Sequence, residues 1–188
     1  MLTVAQLLEP LARHRSDEVV VTTMSVVRPW GRLSDSDLDF ASADSAMGHA
    51  ADLALGIALA RPELKVVVFD GDGSVLMNLG GLTTLARYRP TNLVHLIFDN
   101  ESLLSVGGFP TATSTGSDLA AVAAASGVPR AYQVTTRDEL GRAFDDAMSA
   151  NELSIIVAKV DDQGPSAFVT DLGLLENRFQ FARYLQGR

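Results

Sequence analysis

Four short segments of this chain are apolar along almost their whole length and rich in Val and Ile. They are EVVVTT (18–23), KVVVFD (65–70), LVHLIFDN (93–100) and SIIVAKV (154–160). Unbroken runs of this kind are typical of strands that are buried on both faces of a sheet. Because segments with a helical pattern separate them, the sequence predicts an α/β fold with a doubly wound, mainly parallel sheet flanked by helices.

The helical segments are located from their periodicity and from residues that favour helix ends. Thr3 and Gln6 have the spacing of a capping box, and Pro10 is expected to bend the helix that follows. Asp118 and Gly127 are suited to the beginning and the end of a later helix. The predicted helices cover about 3–15, 46–60, 74–88, 118–127, 137–149 and 172–186, and the additional predicted strands are LDF (38–40) and AYQV (131–134).

Composition and charge limit the class of protein. With 188 residues, 47% of them hydrophobic, the chain can form one domain (1–188) with a substantial core. A formal net charge of −8 without a cluster of Lys or Arg argues against a nucleic-acid partner. The chain has no cysteine, no signal-peptide pattern and no apolar run near the roughly 18 residues of a membrane span. We therefore expect a cytoplasmic protein without a membrane partner.

The segment Gly71-Asp72-Gly73-Ser74 joins an apolar strand to a predicted helix. Its glycines allow a tight turn and close approach of a ligand, and a helix start offers free N–H groups to a phosphate. Asp72 would repel that phosphate unless a cation such as Mg²⁺ lay between them. Asn100, at the end of the next strand, could supply a second oxygen without adding negative charge. The alternative is that GDGS is only a strand–helix turn and that Asn100 only begins a loop.

The position of these residues favours a ligand site, because α/β folds bind ligands beyond the carboxyl ends of their strands. The polar loops 28–44 and 101–117 are predicted at the same edge of the sheet. A GDG sequence followed 28 positions after its Asp by Asn resembles the signature of thiamine diphosphate enzymes. Over about 40–160 the chain is similar to the sulfopyruvate decarboxylase β subunit and to the C-terminal half of phosphonopyruvate decarboxylase. The segments that carry this resemblance are SAMG, GDGSVLMNLG, DNE and GGFPT.

The resemblance implies a thiamine diphosphate-binding fold, with thiamine diphosphate and Mg²⁺ as cofactors. Asp72, the Asn100 side chain and the Ser102 carbonyl would bind Mg²⁺, while Gly73 and Ser74 would donate backbone N–H groups to the diphosphate. The full cofactor-binding set that the resemblance implies is Ser45, Met47, Gly48, Gly71, Asp72, Gly73, Ser74, Asn100, Ser102 and Leu103.

Within this set, Met47 would lie beneath the cofactor and keep its two rings bent. The Ser45 carbonyl and the Met47 N–H would then bind the aminopyrimidine; for Met47 alone, a core position is the alternative. His49 is the candidate catalytic residue, for binding substrate or moving a proton, and packing or helix-end hydration is its alternative. His95 is expected to be a core histidine, and Asp70 a hydrogen-bonding residue at a strand end. Asp99 is left out of the metal site, because neighbouring strand residues point to opposite faces.

Enzymes of this class also need a second domain, which supplies a glutamate to the pyrimidine ring as a general acid–base. Because no second set of strands is predicted, the resemblance to a β subunit implies a separate α subunit that carries this glutamate, in a hetero-oligomer. The chain would then be part of a 2-oxo acid decarboxylase. A carboligase subunit and a catalytically degenerate cofactor-binding protein are the alternatives. A nucleotide-binding regulator has little support, because GxxxxGK[ST] and GxGxxG motifs are missing.

The loop after Asn100 departs from the resembled proteins. It has Leu103-Leu104 where they usually carry Tyr-Gly or similar, and Phe109 where they carry Gln. Both changes make the loop more apolar, whereas a sulfonate or phosphonate needs cationic or hydrogen-bonding partners. Only His49, Arg28 and Arg32 are candidates for that role. A less charged 2-oxo acid is therefore an alternative substrate.

Overall fold

The apolar runs form the centre of a six-stranded parallel sheet in the computed structural model, which describes residues 3–13, 15–41, 46–161 and 172–187. The helices are α1 Val4–Arg13, α2 Val27–Gly31, α3 Ala50–Ala60, α4 Asp72–Met77, α5 Gly81–Tyr88, α6 Leu119–Ala125, α7 Arg137–Ser149 and α8 Leu172–Gln186. The strands are β1 Val19–Thr22, β2 Asp39–Phe40, β3 Val66–Gly71, β4 Leu93–Asp99, β5 Ser102–Leu103, β6 Phe109–Pro110, β7 Arg130–Val134 and β8 Ser154–Lys159.

The sheet has the order β2-β1-β3-β4-β8-β7, and each of its strand pairs is parallel. A hydrophobic cluster covers each face. Val66 and Val68 pack on the face covered by α3, α5 and α6, while Val67 and Phe69 pack on the face covered by α1 and α7. Successive side chains of one strand point to opposite faces, so an unbroken apolar run is what a doubly covered strand requires. The predicted fold class is confirmed.

Several predicted helix ends are also present. The Thr3 N–H donates to Gln6 Oε1 at 3.0 Å and the Gln6 N–H to Thr3 Oγ1 at 3.2 Å, which forms the capping box. Asp118 Oδ1 accepts from the Ala121 N–H at 2.9 Å, and Gly127 follows α6 with a φ of +97°. None of the helices in the described ranges is long and apolar enough to cross a membrane.

Two predicted helices begin or end elsewhere. The helix predicted over 46–60 begins only at Ala50, because residues 47–49 form a turn in which Gly48 has a φ of +82°. The helix predicted over 74–88 begins at Asp72 and is divided into α4 and α5, since the chain leaves the helical conformation at Asn78. The predicted loops also contain structure: α2 begins the first, and the second folds into the β5–β6 hairpin with short 3-10 turns.

Candidate functional site

An open cleft lies at the carboxyl edge of the sheet, between the ends of β1, β3 and β4 and the β5–β6 hairpin. Its lining residues are Met24, Ser25, Met47, Gly71, Asp72, Gly73, Ser74, Phe98, Asn100, Ser102, Leu103 and Leu104. The cleft therefore brings together the predicted cofactor-binding residues except two. Ser45 lies outside the described residues. Gly48 does not line the cleft, but it directly follows Met47, which does.

Asp72, at the start of α4, is 1% exposed, and its carboxylate is hydrogen-bonded by two threonines that do not line the cleft. Its Oδ2 accepts from Thr111 Oγ1 at 2.6 Å and from Thr113 Oγ1 at 3.2 Å. Thr113 Oγ1 also lies 2.7 Å from Asp99 Oδ1, and Asp99 forms an ion pair with Lys159 at 2.8 Å. The hydroxyl groups thus link two buried carboxylates and fasten the loop after the hairpin to α4.

This surrounding determines how Asp72 titrates. Burial raises the pKa of the Asp72 carboxyl above its ordinary value of 3.8, and the charge of Asp99 raises it further. The hydrogen bonds from Thr111 and Thr113 act in the opposite direction. Asp99 does not line the cleft, but it is close enough to raise the pKa of Asp72, because only the Thr113 hydroxyl lies between the two carboxylates. A cation at the cleft would favour the ionised form of Asp72.

Replacing Thr113 with valine is expected to destabilise the fold. Valine keeps the shape but removes the one hydroxyl that lies within hydrogen-bond distance of both carboxylates. Asp72 keeps the hydroxyl of Thr111, whereas Asp99 loses its contact with Thr113, and we expect a cost of about 1.5–3 kcal/mol in the free energy of unfolding. Thr115→Val is the matched control, since the Thr115 hydroxyl is exposed and bonds only the Ala112 carbonyl; we expect a change within about 0.5 kcal/mol. Urea unfolding of both variants measures the difference, and equal stabilities would show that the Thr113 bridge contributes nothing.

Two residues of the segment after β4 line the cleft and carry further candidate oxygen ligands. Asn100 Oδ1 accepts from the Ser102 N–H at 3.1 Å, and a carboxamide oxygen has a second lone pair for another partner. In the hairpin, the N–H groups of Thr111 and Gly108 donate to the carbonyls of Glu101 and Leu103. Carbonyl directions alternate along a strand, so the Ser102 carbonyl between them faces away from β6. The Ser102 hydroxyl is also buried at the cleft without a hydrogen-bond partner.

The two glycines of GDGS serve different purposes. Gly71 has an extended backbone (φ −115°, ψ 154°) and ends β3, so the predicted glycine-dependent tight turn is wrong at this position. A Cβ at Gly71 would meet no atom within 4 Å, which leaves room for a ligand beside the backbone. At Gly73 a Cβ would lie 2.3 Å from Leu103 Cδ2, so the hairpin packs directly on the first turn of α4. Of these two glycines, only Gly73 is in a position where a Cβ would displace a neighbour, the terminal methyl group of Leu103.

The two histidines that the structure describes, His49 and His95, do not line the cleft. The His49 side chain is 67% exposed, and its Nδ1 lies 2.9 Å from Asp52 Oδ2. The catalytic role predicted for His49 therefore has no support from its position on this chain alone. His95 is buried in β4 with Nε2 3.2 Å from Asp70 Oδ2, and Asp70 Oδ1 accepts from the Gly71 N–H. These two residues have the core and strand-end positions that were expected.

Sequence reasoning missed several residues of the site. Met24 and Ser25 line the cleft after β1, and Thr111 and Thr113 support Asp72. Met24 and Glu101 have positive φ values of 53° and 59°, a strained conformation for residues other than glycine that is common at functional sites. The available signal for the threonines was their place in the polar loop after Asn100, next to the GGFPT segment.

The donor set of the cleft fits a hard cation bound to an anionic group: a buried carboxylate, an amide oxygen and a carbonyl that faces away from the paired strand, with room beside the backbone of Gly71. The fold and the cleft thus define an α/β cofactor-binding domain. The model of the C-terminal TPP binding domain of thiamine pyrophosphate enzymes matches residues 31–158, and the chain belongs to this family.

Individual relatives agree with this assignment. The chain is 43% identical over 142 residues to phosphonopyruvate decarboxylase of Streptomyces viridochromogenes, covering 76% of this chain but 35% of that protein. It is 34% identical over 159 residues to sulfopyruvate decarboxylase subunit beta of Methanococcus maripaludis, covering 84% of each. The structure of benzoylformate decarboxylase from Polynucleobacter necessarius superposes with a TM-score of 0.69 at 25% identity, over 86% of this chain and 34% of that one. The chain thus spans about a third of the phosphonopyruvate and benzoylformate decarboxylases that it matches.

Proposed function

We propose that this chain is the β-type subunit of a thiamine diphosphate- and Mg²⁺-dependent 2-oxo acid decarboxylase, and that it binds the cofactor diphosphate and the metal. The observation that carries the proposal is that Asp72, Asn100 and Ser102 line one cleft at the carboxyl edge of the sheet. A single domain over 1–188 and a cytoplasmic location remain predictions from the sequence.

Each residue of the cleft has a distinct task in this proposal. The Asp72 carboxylate, the Asn100 amide oxygen and the Ser102 carbonyl would hold Mg²⁺, and the first N–H groups of α4 would donate to the diphosphate. Met47 and Leu103 provide apolar surface for the remainder of the cofactor and keep water from it. Bound thiamine diphosphate supplies the carbanion-stabilising chemistry, so the chain contributes binding, orientation and electrostatics.

The acid–base glutamate would come from a separate α subunit. Support comes from the Methanococcus maripaludis relative, which has a similar extent and is named subunit beta. The test is to purify the chain with and without a co-expressed α-type partner, to titrate thiamine diphosphate with Mg²⁺, and to measure CO₂ release from 2-oxo acids. We expect release only from the complex. Cofactor binding without consumption of any 2-oxo acid would favour a degenerate binding protein, and no binding by either sample would refute the proposal.

The substrate class has two candidates. The named relatives favour a phosphonate or sulfonate, but none of the described residues that line the cleft is a cation, and neither Arg28 nor Arg32 is among them. Leu103 and Leu104 line it, whereas Phe109 is 64% exposed on the hairpin and not part of the lining. This apolar lining favours a less charged 2-oxo acid as the second candidate. Comparing sulfopyruvate, phosphonopyruvate and benzoylformate as substrates, with an aldehyde acceptor to reveal carboligation, separates these outcomes.

The affinity for Mg²⁺ is expected to depend on pH through Asp72. A metal ligand must be deprotonated, and the pKa of this carboxyl is raised above 3.8, chiefly by burial. The metal therefore competes with a proton, and Mg²⁺ binding weakens on acidification while the pH is still above 3.8. Measuring the rise in melting temperature on addition of Mg²⁺ from pH 8 downwards checks this. A rise that stays constant down to pH 4 would contradict it.

A further inference from the structure

We propose that Asn78 is a positioning residue that places Met47 in the cleft relative to the metal-binding end of α4. The inference rests on the proposed function, since it assigns a role in binding the part of the cofactor beyond the diphosphate. Asn78 lies at the end of α4 and does not line the cleft, so it would act through another residue.

The side chain of Asn78 joins α4 to the start of α3. Its Nδ2 donates to the Gly48 carbonyl at 2.8 Å and to Asp52 Oδ2 at 3.0 Å, so both amide hydrogens are used. The Gly48 N–H donates in turn to Ser74 Oγ at 3.0 Å. Both backbone polar groups of Gly48 are thus bound by side chains: one by Ser74 within α4 and one by Asn78, the residue that directly follows this helix.

The turn before α3 and the end of α4 are tightly packed around Asn78. A Cβ at Gly48 would lie 2.8 Å from Asn78 Cβ and 3.2 Å from the Asn78 nitrogen, so the turn before α3 rests directly on the end of α4. A Cβ at Gly81 would lie 3.3 Å from Asn78 Nδ2, so the start of α5 encloses the amide from the other side. The Asn78 side chain can therefore adopt few other positions.

The consequence concerns Met47, which directly precedes Gly48 and lines the cleft. Asp72, at one end of α4, faces the same cleft, while Asn78, at the other end, fixes the segment that carries Met47. One short helix thus sets the distance between the metal ligand and the apolar residue. Loss of the Asn78 contacts should loosen Met47 and leave the metal ligands in place.

The test compares two asparagines that hold opposite ends of α3. Asn92 Nδ2 donates to the carbonyls of Ala58, Arg61 and Leu64, so Asn92→Ala also removes a carbonyl-binding amide, but remote from the cleft. The full chain is titrated with thiamine diphosphate and with pyrophosphate, both with Mg²⁺. We expect Asn78→Ala to weaken thiamine diphosphate binding about tenfold and to change pyrophosphate binding less than about twofold. Asn92→Ala should lower the melting temperature and leave both affinities unchanged.

A spectroscopic readout reports the position of Met47 directly. With ¹³C-methyl-labelled methionine, Asn78→Ala should shift or broaden the Met47 signal, assigned with Met47→Leu. The signal of Met148 in α7 serves as an internal reference and should not move. Asn78→Asp is a second variant that keeps the shape but sets a carboxylate against the Gly48 carbonyl and Asp52; the same changes are expected if the alanine variant does not fold.

The outcomes separate this inference from the proposed function. If the wild-type chain binds neither ligand, whether alone or with its co-expressed α-type partner, the proposed function fails and the inference with it. If the wild-type chain binds both ligands and Asn78→Ala weakens both equally, or neither, the positioning role of Asn78 is wrong while the metal and diphosphate site stands. An unchanged Met47 signal in both Asn78 variants would also overturn it.

Discussion

Replacing Asp72 with asparagine is expected to abolish Mg²⁺-dependent binding of thiamine diphosphate. Asparagine has nearly the same shape and can still accept the hydroxyl groups of Thr111 and Thr113, so the loss is that of the charge. Removing one partner of a buried ion pair costs about 3–5 kcal/mol, which corresponds to at least about a 100-fold loss of affinity. Calorimetric titration of the full chain with cofactor, at several fixed Mg²⁺ concentrations, measures it.

The same substitution should stabilise the metal-free chain. Because the folded-state pKa of Asp72 is raised, the stability that this group contributes is fully present below 3.8, where it is protonated, and is lost as the pH rises through the folded-state pKa. Asparagine resembles the neutral form at every pH. Asp72→Asn should therefore melt higher than the wild type at neutral pH without metal, whereas only the wild type should gain stability from Mg²⁺.

Asp99→Asn is the control, because it removes the other carboxylate of the same network. Asp99 does not line the cleft, and its charge raises the pKa of Asp72. Its removal weakens the contact with Lys159 but favours the ionised form of Asp72, so Mg²⁺ affinity should be kept or increased. If Asp99→Asn loses the affinity and Asp72→Asn keeps it, the metal site has been assigned to the wrong carboxylate.

The fold could be predicted because its signal is local. In runs such as VVVFD, successive residues pack on opposite faces, so their shared hydrophobicity already indicates a doubly covered strand. Helix ends with side-chain caps, such as Asp118, were predicted for the same reason. The break at Asn78 was not predicted, although Gly80 and Gly81 directly after it are unfavourable in a helix and are a local signal for a break. The hydrogen bond from Asn78 to the Gly48 carbonyl is a tertiary contact that no local pattern indicates.

Site residues at the ends of strands could be predicted from the sequence, whereas those contributed by the loop after the hairpin could not. Asp72 directly follows β3 and Asn100 directly follows β4. Because these two strands are parallel neighbours, the sheet brings both residues to the same edge. Thr111 and Thr113 reach Asp72 from 39 and 41 positions away, through a hairpin whose path no short pattern indicates. The positive φ of Met24 and Glu101 is likewise imposed by the surroundings, since neither residue favours it alone.

The packing between α3 and α4 leads to the second large effect, a strong destabilisation by Gly48→Ala. The φ of +82° costs an alanine about 1–2 kcal/mol, and the approach of its Cβ to Asn78 adds about 1–3 kcal/mol of overpacking. A total near 3 kcal/mol corresponds to a fall of roughly 6–12 °C in melting temperature for a chain of this size. Thermal and urea unfolding of the full chain measure it.

Gly56→Ala provides the matched comparison, in the helix that follows the turn of Gly48. Gly56 lies inside α3, and a Cβ there would meet no atom within 4 Å, so alanine should stabilise the chain by about 0.5–1 kcal/mol through the lower entropy of the unfolded state. The two glycine-to-alanine changes should thus have opposite signs, although a helix-propensity scale would rank both as favourable. If Gly48→Ala unfolds at the wild-type temperature, the turn before α3 does not rest on Asn78, and the connection between Met47 and Asp72 through α4 does not exist.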